Sequence, residues 1–302
     1  MNNLFVSESP HIHGGETTSR IMLDVLIALV PAFIASIIIF GARAALVVFV
    51  CVATCVVLEW LFQKGMKKPV TVGDFSAAIT GVLLAFNLPS TIPLWQAAFG
   101  SAVAIILVKQ LFGGLGKNFA NPAITARIVM LLAFSVTMTT WTLPLDGVTG
   151  ATPLSLLAGG EKEALPGLTD MFLGLHGGSL GETCIPVLLC GGIYLIVKRV
   201  ITWHTPVVFI ATVFVFAALL GQDPVYHILS GGLVLGAVFM ATDYVTTPQT
   251  SSGKIIFGAG AGLLTILLRV YGSFPEGASF AILLMNILTP YINRLTAPKP
   301  IG

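Results

Sequence analysis

Two hydroxyls and a handful of ionisable groups are the residues here able to do chemistry. Thr149 and Thr152 stand in the run Asp146-Gly147-Val148-Thr149-Gly150-Ala151-Thr152-Pro153-Leu154. Asp146-Gly147 and Thr149-Gly150 are turn dipeptides, so both hydroxyls sit on a loop of small residues. Small neighbours leave a hydroxyl open to a modifying enzyme or a bulky ligand. The same letters also spell a helix start, with Thr152 as N-cap and Pro153 at the first helical position. Arg127 lies inside a long apolar run, a few residues after Asn118 and Asn121. Asp24, Glu59 and Asp243 fall near the edges of other apolar runs. Ionisable groups in such runs are costly, which makes them functional candidates by default. Arg127 can hold an anionic or carbonyl group of a ligand, or pair with a carboxylate. Asn121 followed by Pro122 also reads as a plain N-cap. Asp24 and Asp243 are candidates for an ion path, although Asp24 also lies one turn beyond Arg20, as in a simple helix pair. Glu59 lies close enough to a span end to reach the interface.

The thiols point elsewhere. Cys51, Cys55, Cys184 and Cys190 form no CxxC. Cys51 and Cys55 are one helical turn apart in an apolar run and read as buried small hydrophobes. No metal or iron–sulfur site is expected from this chain alone. His11 and His13, two histidines in a polar tail, fit partner contacts better than a metal.

The elements that carry these groups follow from composition. Of 302 residues, 56% are hydrophobic and 9% charged, against about 25% charged in a soluble domain. Mean hydropathy is +0.95. Such a chain cannot cover a water-facing surface. A soluble enzyme, a secreted disulfide scaffold, a disordered protein and a nucleic-acid binder are excluded. The apolar runs are continuous rather than alternating, so they read as membrane helices. Ten are expected, near 21–41, 43–63, 75–89, 92–112, 120–140, 183–200, 203–220, 228–242, 254–272 and 276–295. The expected fold is an all-α polytopic membrane protein. Residues 1–20 are polar and form a tail rather than a signal peptide.

The third and eighth runs are short and lead into loops bearing Pro89 and Pro248. Short spans at matching places suggest two inverted halves around a midplane site. Ile79–Ala85 is similar in texture to Gly232–Ala237, and Phe119–Ile124 to Gly277–Ile282. The expected organisation is a tail (1–20), a five-helix half (21–140), a polar loop (141–182), a second half (183–295) and a short tail (296–302).

With ten spans both termini share one side. That side carries Arg20, Lys64, Lys67, Lys68, Lys109, Lys117, Lys198, Arg199, Lys254, Arg294 and Lys299, and the other carries Arg43, Lys162 and Arg269. The bias places both termini in the cytoplasm and the 141–182 loop outside the cell (inner) membrane. Trp60, Trp95, Trp141 and Trp203 fall at predicted span ends and read as interfacial anchors.

In such a loop the Asp146–Thr152 run takes on another meaning. It resembles the Asp-x-x-Ser/Thr-Gly-Ala-Thr flavinylation motif, in which a flavin transferase esterifies FMN to the last threonine. The resemblance implies covalent FMN on Thr152, with Asp146, Thr149, Gly150 and Ala151 as the surrounding signature. Ser9-Pro10-His11-Ile12-His13, Thr18–Leu23, Lys117-Asn118-Phe119-Ala120-Asn121-Pro122-Ala123, Ala241-Thr242-Asp243 and Pro275–Ala281 resemble the RnfD family, the D subunits of the Rnf ion-translocating electron-transport complexes. The sister family, the NqrB proteins of sodium-pumping NADH:quinone reductases, has a longer N-terminal extension. One departure is Tyr244, where the family often has proline after the aspartate.

The resemblance implies a flavin-carrying membrane subunit, not catalytic alone, in a complex that couples electron flow between ferredoxin and NAD to Na⁺ or H⁺ movement. Its implied partners are an outer flavin subunit, membrane iron–sulfur subunits, cytoplasmic NAD and ferredoxin subunits, and the transferase. A second flavin, riboflavin, is implied deeper in the bundle and nearer the cytoplasm. Asn118 and Asn121 are placed to read a flavin ring edge, and Arg127 to hold a flavin phosphate or pyrimidine carbonyl. A competing reading is a urea-channel-like transporter of small neutral solutes, which would suit the same fold and need no Thr152 signature.

Overall fold

The computed structural model describes residues 17–144, 148–160, 162–272 and 276–297. Two long helices open it. The Thr17 hydroxyl accepts the Arg20 amide at 3.3 Å and starts α1 (Thr18–Phe40). Gly41, at φ +75°, ends α1 and leads straight into α2 (Ala42–Gly65). Only glycine takes that backbone conformation without strain.

After a 3₁₀ turn at Val72–Asp74, α3 (Ser76–Phe86) is short. The Asp74 carboxylate accepts the Ser76 amide at 2.8 Å at its start. At its end the Asn87 side chain donates back to the Leu83 carbonyl at 2.7 Å. Pro89 then prevents the helix from continuing. α4 (Leu94–Ala102) runs on as a π-helical segment, Val103–Gln110. α5 (Pro122–Ala133) is followed by one further turn, α6 (Ser135–Met138).

The polar loop has structure of its own. β1 (Trp141–Thr142) pairs antiparallel with β2 (Thr149–Gly150), Trp141 opposite Gly150. Two short helices follow, α7 (Pro153–Gly159) and α8 (Leu168–Leu173).

The rest of the chain is helical again: α9 (Ile185–Val197), α10 (His204–Leu219), α11 (Pro224–Leu229), α12 (Leu233–Leu235), α13 (Ser251–Tyr271) and α14 (Ala278–Thr296). α12 continues as a π-helical segment, Gly236–Met240.

α1, α2 and α13 are each long and apolar enough to cross a membrane. The helices at 76–86, 94–110, 122–133, 185–197 and 204–219 are apolar but shorter. Each of the ten predicted runs contains helix. Two are more broken than expected. The fifth stops at Ala133, because Phe134 (φ −130°, ψ 48°) leaves the helical region. The eighth is interrupted after Leu229 and resumes at Leu233, because Gly231 and Gly232 both sit at positive φ and separate α11 from α12. The outer surface is strongly apolar: Ile38, Phe49, Val197, Leu219 and Leu295 are all exposed. Lipid is the solvent that suits such a surface.

Helices pack closely through small residues. Gly258 and Gly262 of α13 face α10, where an added Cβ would stand 2.9 Å from the Thr205 carbonyl and 2.8 Å from that of Phe209. This is the small-xxx-small contact of membrane helices. α1 packs on α9, and α5 on α14.

One anchor expectation fails. Trp60, Trp95 and Trp203 are exposed at helix ends, but Trp141 is 5% exposed. Pairing in β1 turns its ring into the protein, so it holds the loop rather than the interface.

Candidate functional site

The singled-out residues collect at the two ends of α3. At the Asn87 end, the polar loop is stitched onto the helix. The Gly181 amide donates to the Phe86 carbonyl at 2.9 Å and the Leu180 amide to the Leu88 carbonyl at 3.1 Å. Ser90 and Thr142 share a hydroxyl hydrogen bond of 2.6 Å. The two amides satisfy carbonyls that the end of α3 would otherwise leave orphaned.

Thr152 sits in this region as the N-cap of α7. Its Oγ1 accepts the Ser155 amide at 3.2 Å, with Pro153 in the first turn. The side chain is buried, whereas Thr149 and Ala151 on its approach are exposed. Asp146 lies outside the described residues. A narrow cleft lined by Thr152, Leu154, His176, Glu182, Ser230 and Glu276 runs beneath the cap. Burial holds the His176 imidazole below its ordinary range, so the ring is neutral at pH 7.

Arg127 is fully engaged. Its guanidinium pairs with Glu276 and donates to Asn87 Oδ1 at 3.0 Å and Ser279 Oγ at 2.8 Å. The arrangement ties α5 to the end of α3 and the start of α14. Of the two roles open from sequence, the structure places Arg127 in the carboxylate pair. Arg269, counted from sequence among the charges of one side, is buried in the last turn of α13. It donates to the carbonyls of His227, Ser230 and Gly231, where the chain breaks between α11 and α12.

At the Ser76 end lies a partly open cavity, with about 790 Å³ of empty space when its open mouth is included. Its walls are apolar, from Ile21, Val25, Ile79, Leu83 and Phe239, and its polar groups include Ser76, Thr80, Lys109, Asn118, Asn121 and Asp243. Asn121 caps α5 through Oδ1, which accepts the Ala123 amide at 3.0 Å, and its Nδ2 donates to the Met240 carbonyl at 3.4 Å. Asn118 donates to the Ala120 carbonyl at 3.0 Å. Cap and cavity wall are therefore compatible roles for Asn121. Asp243 accepts the Thr246 hydroxyl at 3.2 Å and stands between this cavity and a polar recess bearing Arg199 and Lys254. Asp24 lies outside the cavity lining and accepts the Tyr194 hydroxyl at 2.7 Å.

Sequence reasoning missed one group here. Lys109, read as an interfacial charge, is 2% exposed and bonded to Glu59. The hint was its place inside an apolar run, a few residues before that run ends.

Residues 5–302 match the model of a single protein family, whose description is NQR2, RnfD, RnfE. The chain belongs to the NQR2, RnfD, RnfE family. Both ends of α3 lie within the matched span. The D subunit of the Na⁺-translocating ferredoxin:NAD⁺ oxidoreductase complex of Acetobacterium woodii is 50% identical, over 99% of this chain and 96% of that protein. The D subunit of the proton-translocating counterpart of Clostridium ljungdahlii is 43% identical, over 99% and 97%. The D subunit of the ion-translocating oxidoreductase complex of Escherichia coli is 35% identical, over 98% of each chain. Membership in the NQR2, RnfD, RnfE family therefore rests on similarity along the whole chain rather than on one motif.

Proposed function

We propose that this chain is the D subunit of an ion-translocating ferredoxin:NAD oxidoreductase complex, carrying FMN esterified to Thr152 and riboflavin in the cavity at the Ser76 end of α3. The observation that carries this reading is the near-full-length 50% identity to one such D subunit, together with the intact signature ending at Thr152. The ten apolar runs then cross the cell membrane as two five-helix halves. Both termini and the cavity face the cytoplasm, and the polar loop faces out. The contacts of α1 with α9 and of α5 with α14, equivalent helices of the two halves, support that arrangement.

The residues present suit both groups. Thr152 offers its hydroxyl beside an exposed strip of small residues, and its present bonds are those of a local cap. The cavity pairs apolar walls with a few convergent polar groups, the usual make-up of a ligand pocket. Bound flavins supply the one- and two-electron chemistry. The protein's part is positional. Thr152 anchors one flavin by a short covalent tether. Asn118 and Asn121 present amides at the edge of the cavity. Arg127, through Glu276, Ser279 and Asn87, holds the three helices that separate the two places. The neighbours of the chain would be an outer flavin subunit, membrane iron–sulfur subunits and the cytoplasmic NAD and ferredoxin subunits. A flavin transferase would modify Thr152.

Peptide mass spectrometry on protein from its native host tests the reading. The expected result is a mass increase of FMN less water on the Thr152 peptide, together with riboflavin released on denaturation. An unmodified peptide from a host that makes the transferase would favour a colourless solute channel instead.

A further inference from the structure

The cavity at the Ser76 end is lined by two charged side chains, Lys109 and Asp243. Lys109 belongs to the π-helical segment after α4. Its Nζ stands 2.7 Å from Glu59 Oε2 and 2.6 Å from Ser76 Oγ. Glu59 is fully buried and is not part of the lining, so it stands behind the lysine. The ammonium is therefore part of the cavity wall, held between Ser76, which also lines the cavity, and Glu59, which does not. Two charges sealed this way act across a low-dielectric wall, where their effect on a third charge is larger than in water.

We propose that Lys109 is a positioning residue that sets the charge of the flavin ring held in this cavity. The inference rests on the reading that riboflavin occupies the cavity. A ring that takes one electron from a donor of the complex gains one negative charge. Beside Lys109 that charge is held without a proton. With Lys109 gone, a proton taken from water would accompany the electron, which returns the site to the net charge that it has beside the lysine. Glu59 opposes the lysine, so removing its charge favours the reduced ring.

The sign of the effect is the test. Spectroelectrochemical titration of the non-covalent flavin in the purified complex is run on wild type, Lys109→Met, Lys109→Arg and Glu59→Gln. Lys109→Met is expected to lower the preference for the reduced ring by tenfold or more, about 59 mV for one electron, and to make the potential fall as pH rises. Glu59→Gln is expected to shift the potential upward, and Lys109→Arg to leave it near wild type. Shifts of the same sign in Lys109→Met and Glu59→Gln, or no shift in either, would overturn the proposal, because loosened packing moves both alike. If neither single variant assembles, the pair Lys109→Met with Glu59→Gln leaves the net charge of the site unchanged. Its potential must still fall and become pH-dependent; a wild-type potential there refutes the lysine's role. Absence of any non-covalent flavin from the wild-type complex would instead sink the underlying assignment.

Discussion

Lys109 and Glu59, 50 residues apart in sequence, form an ion pair of 2.7 Å in which both side chains are nearly sealed from solvent. A buried pair of this kind is weak evidence for stability as a whole, yet each partner depends on the other. Replacing Lys109 by alanine leaves a buried carboxylate and is expected to cost about 3–5 kcal/mol. Replacing both residues by Met and Leu is expected to be close to neutral. Thermal unfolding in detergent, comparing the two variants with wild type, decides this.

Thr152 caps α7 and, in the proposed function, also bears the flavin, and the two roles can be separated. Thr152→Ala removes both the acceptor oxygen and the cap of α7, so covalent flavin is lost and local stability falls by about 1 kcal/mol. Thr152→Ser keeps an oxygen at the same place and is expected to retain the cap. In-gel flavin fluorescence and proteolysis of the 153–159 helix read the two effects independently. Covalent flavin retained in the alanine variant would sink the acceptor assignment.

Arg127 is expected to tolerate no uncharged replacement. Arg127→Met strands Glu276 and removes donors from Asn87 and Ser279. The expected loss is about 3–5 kcal/mol, seen as a lower unfolding temperature. Arg127→Lys should recover part of it, since an ammonium keeps the charge but not the planar fork.

The α10–α13 seam gives a purely steric prediction. A side chain at Gly262 must displace the Phe209 carbonyl, 2.8 Å from the position of its Cβ. Gly262→Val is expected to destabilise the bundle by about 1–3 kcal/mol, or to block assembly, whereas Gly260→Ala, which meets only the flexible Met285 side chain, costs less. Expression level and unfolding temperature of the two variants provide the comparison.

The polar loop should weaken in acid. His176 is buried and neutral, with its pKa lowered by burial from 6.5. Once unfolded it titrates at the ordinary value, so below about pH 6.5 the unfolded loop binds a proton that the folded loop does not. The stability contribution is thus present above that pH and lost as the pH falls. Proteolysis of the 168–184 segment is expected to accelerate as the pH is lowered through about 6.5, and the acceleration to shrink in His176→Asn. An unchanged pH response in that variant would point to another group.

The helices were legible because an apolar run in lipid can do little else. Asn121-Pro122 and Thr152-Pro153 announced helix starts through local chemistry, and each is a start in the structure. Partners distant along the chain could not be read. Lys109 with Glu59, and Arg127 with Glu276, are brought together only by packing. Lys109 and Arg269 both look like interfacial charges in a one-dimensional count, because a span edge and a buried polar pocket have the same flanking letters. The β1–β2 pairing was hidden for another reason: its strands are two residues each, too short to show alternation. Asp146 and the histidines of the N-terminal tail lie outside the described residues, so their roles stay at the level of the sequence.

The stitching of Leu180 and Gly181 onto the end of α3 has a mechanical consequence. The loop's amides hold one end of an 11-residue helix, and the other end, Ser76, hydrogen-bonds the lysine of the cavity wall. At about 1.5 Å per residue α3 is a rod about 16 Å long, gripped at both tips. Its residue count is a ruler between loop and cavity. One residue inserted in its middle would lengthen it by about 1.5 Å and rotate one grip against the other by about 100°. A tug on the loop arrives at Ser76 as a displacement of a rigid bar, so the two distant regions share a single moving part.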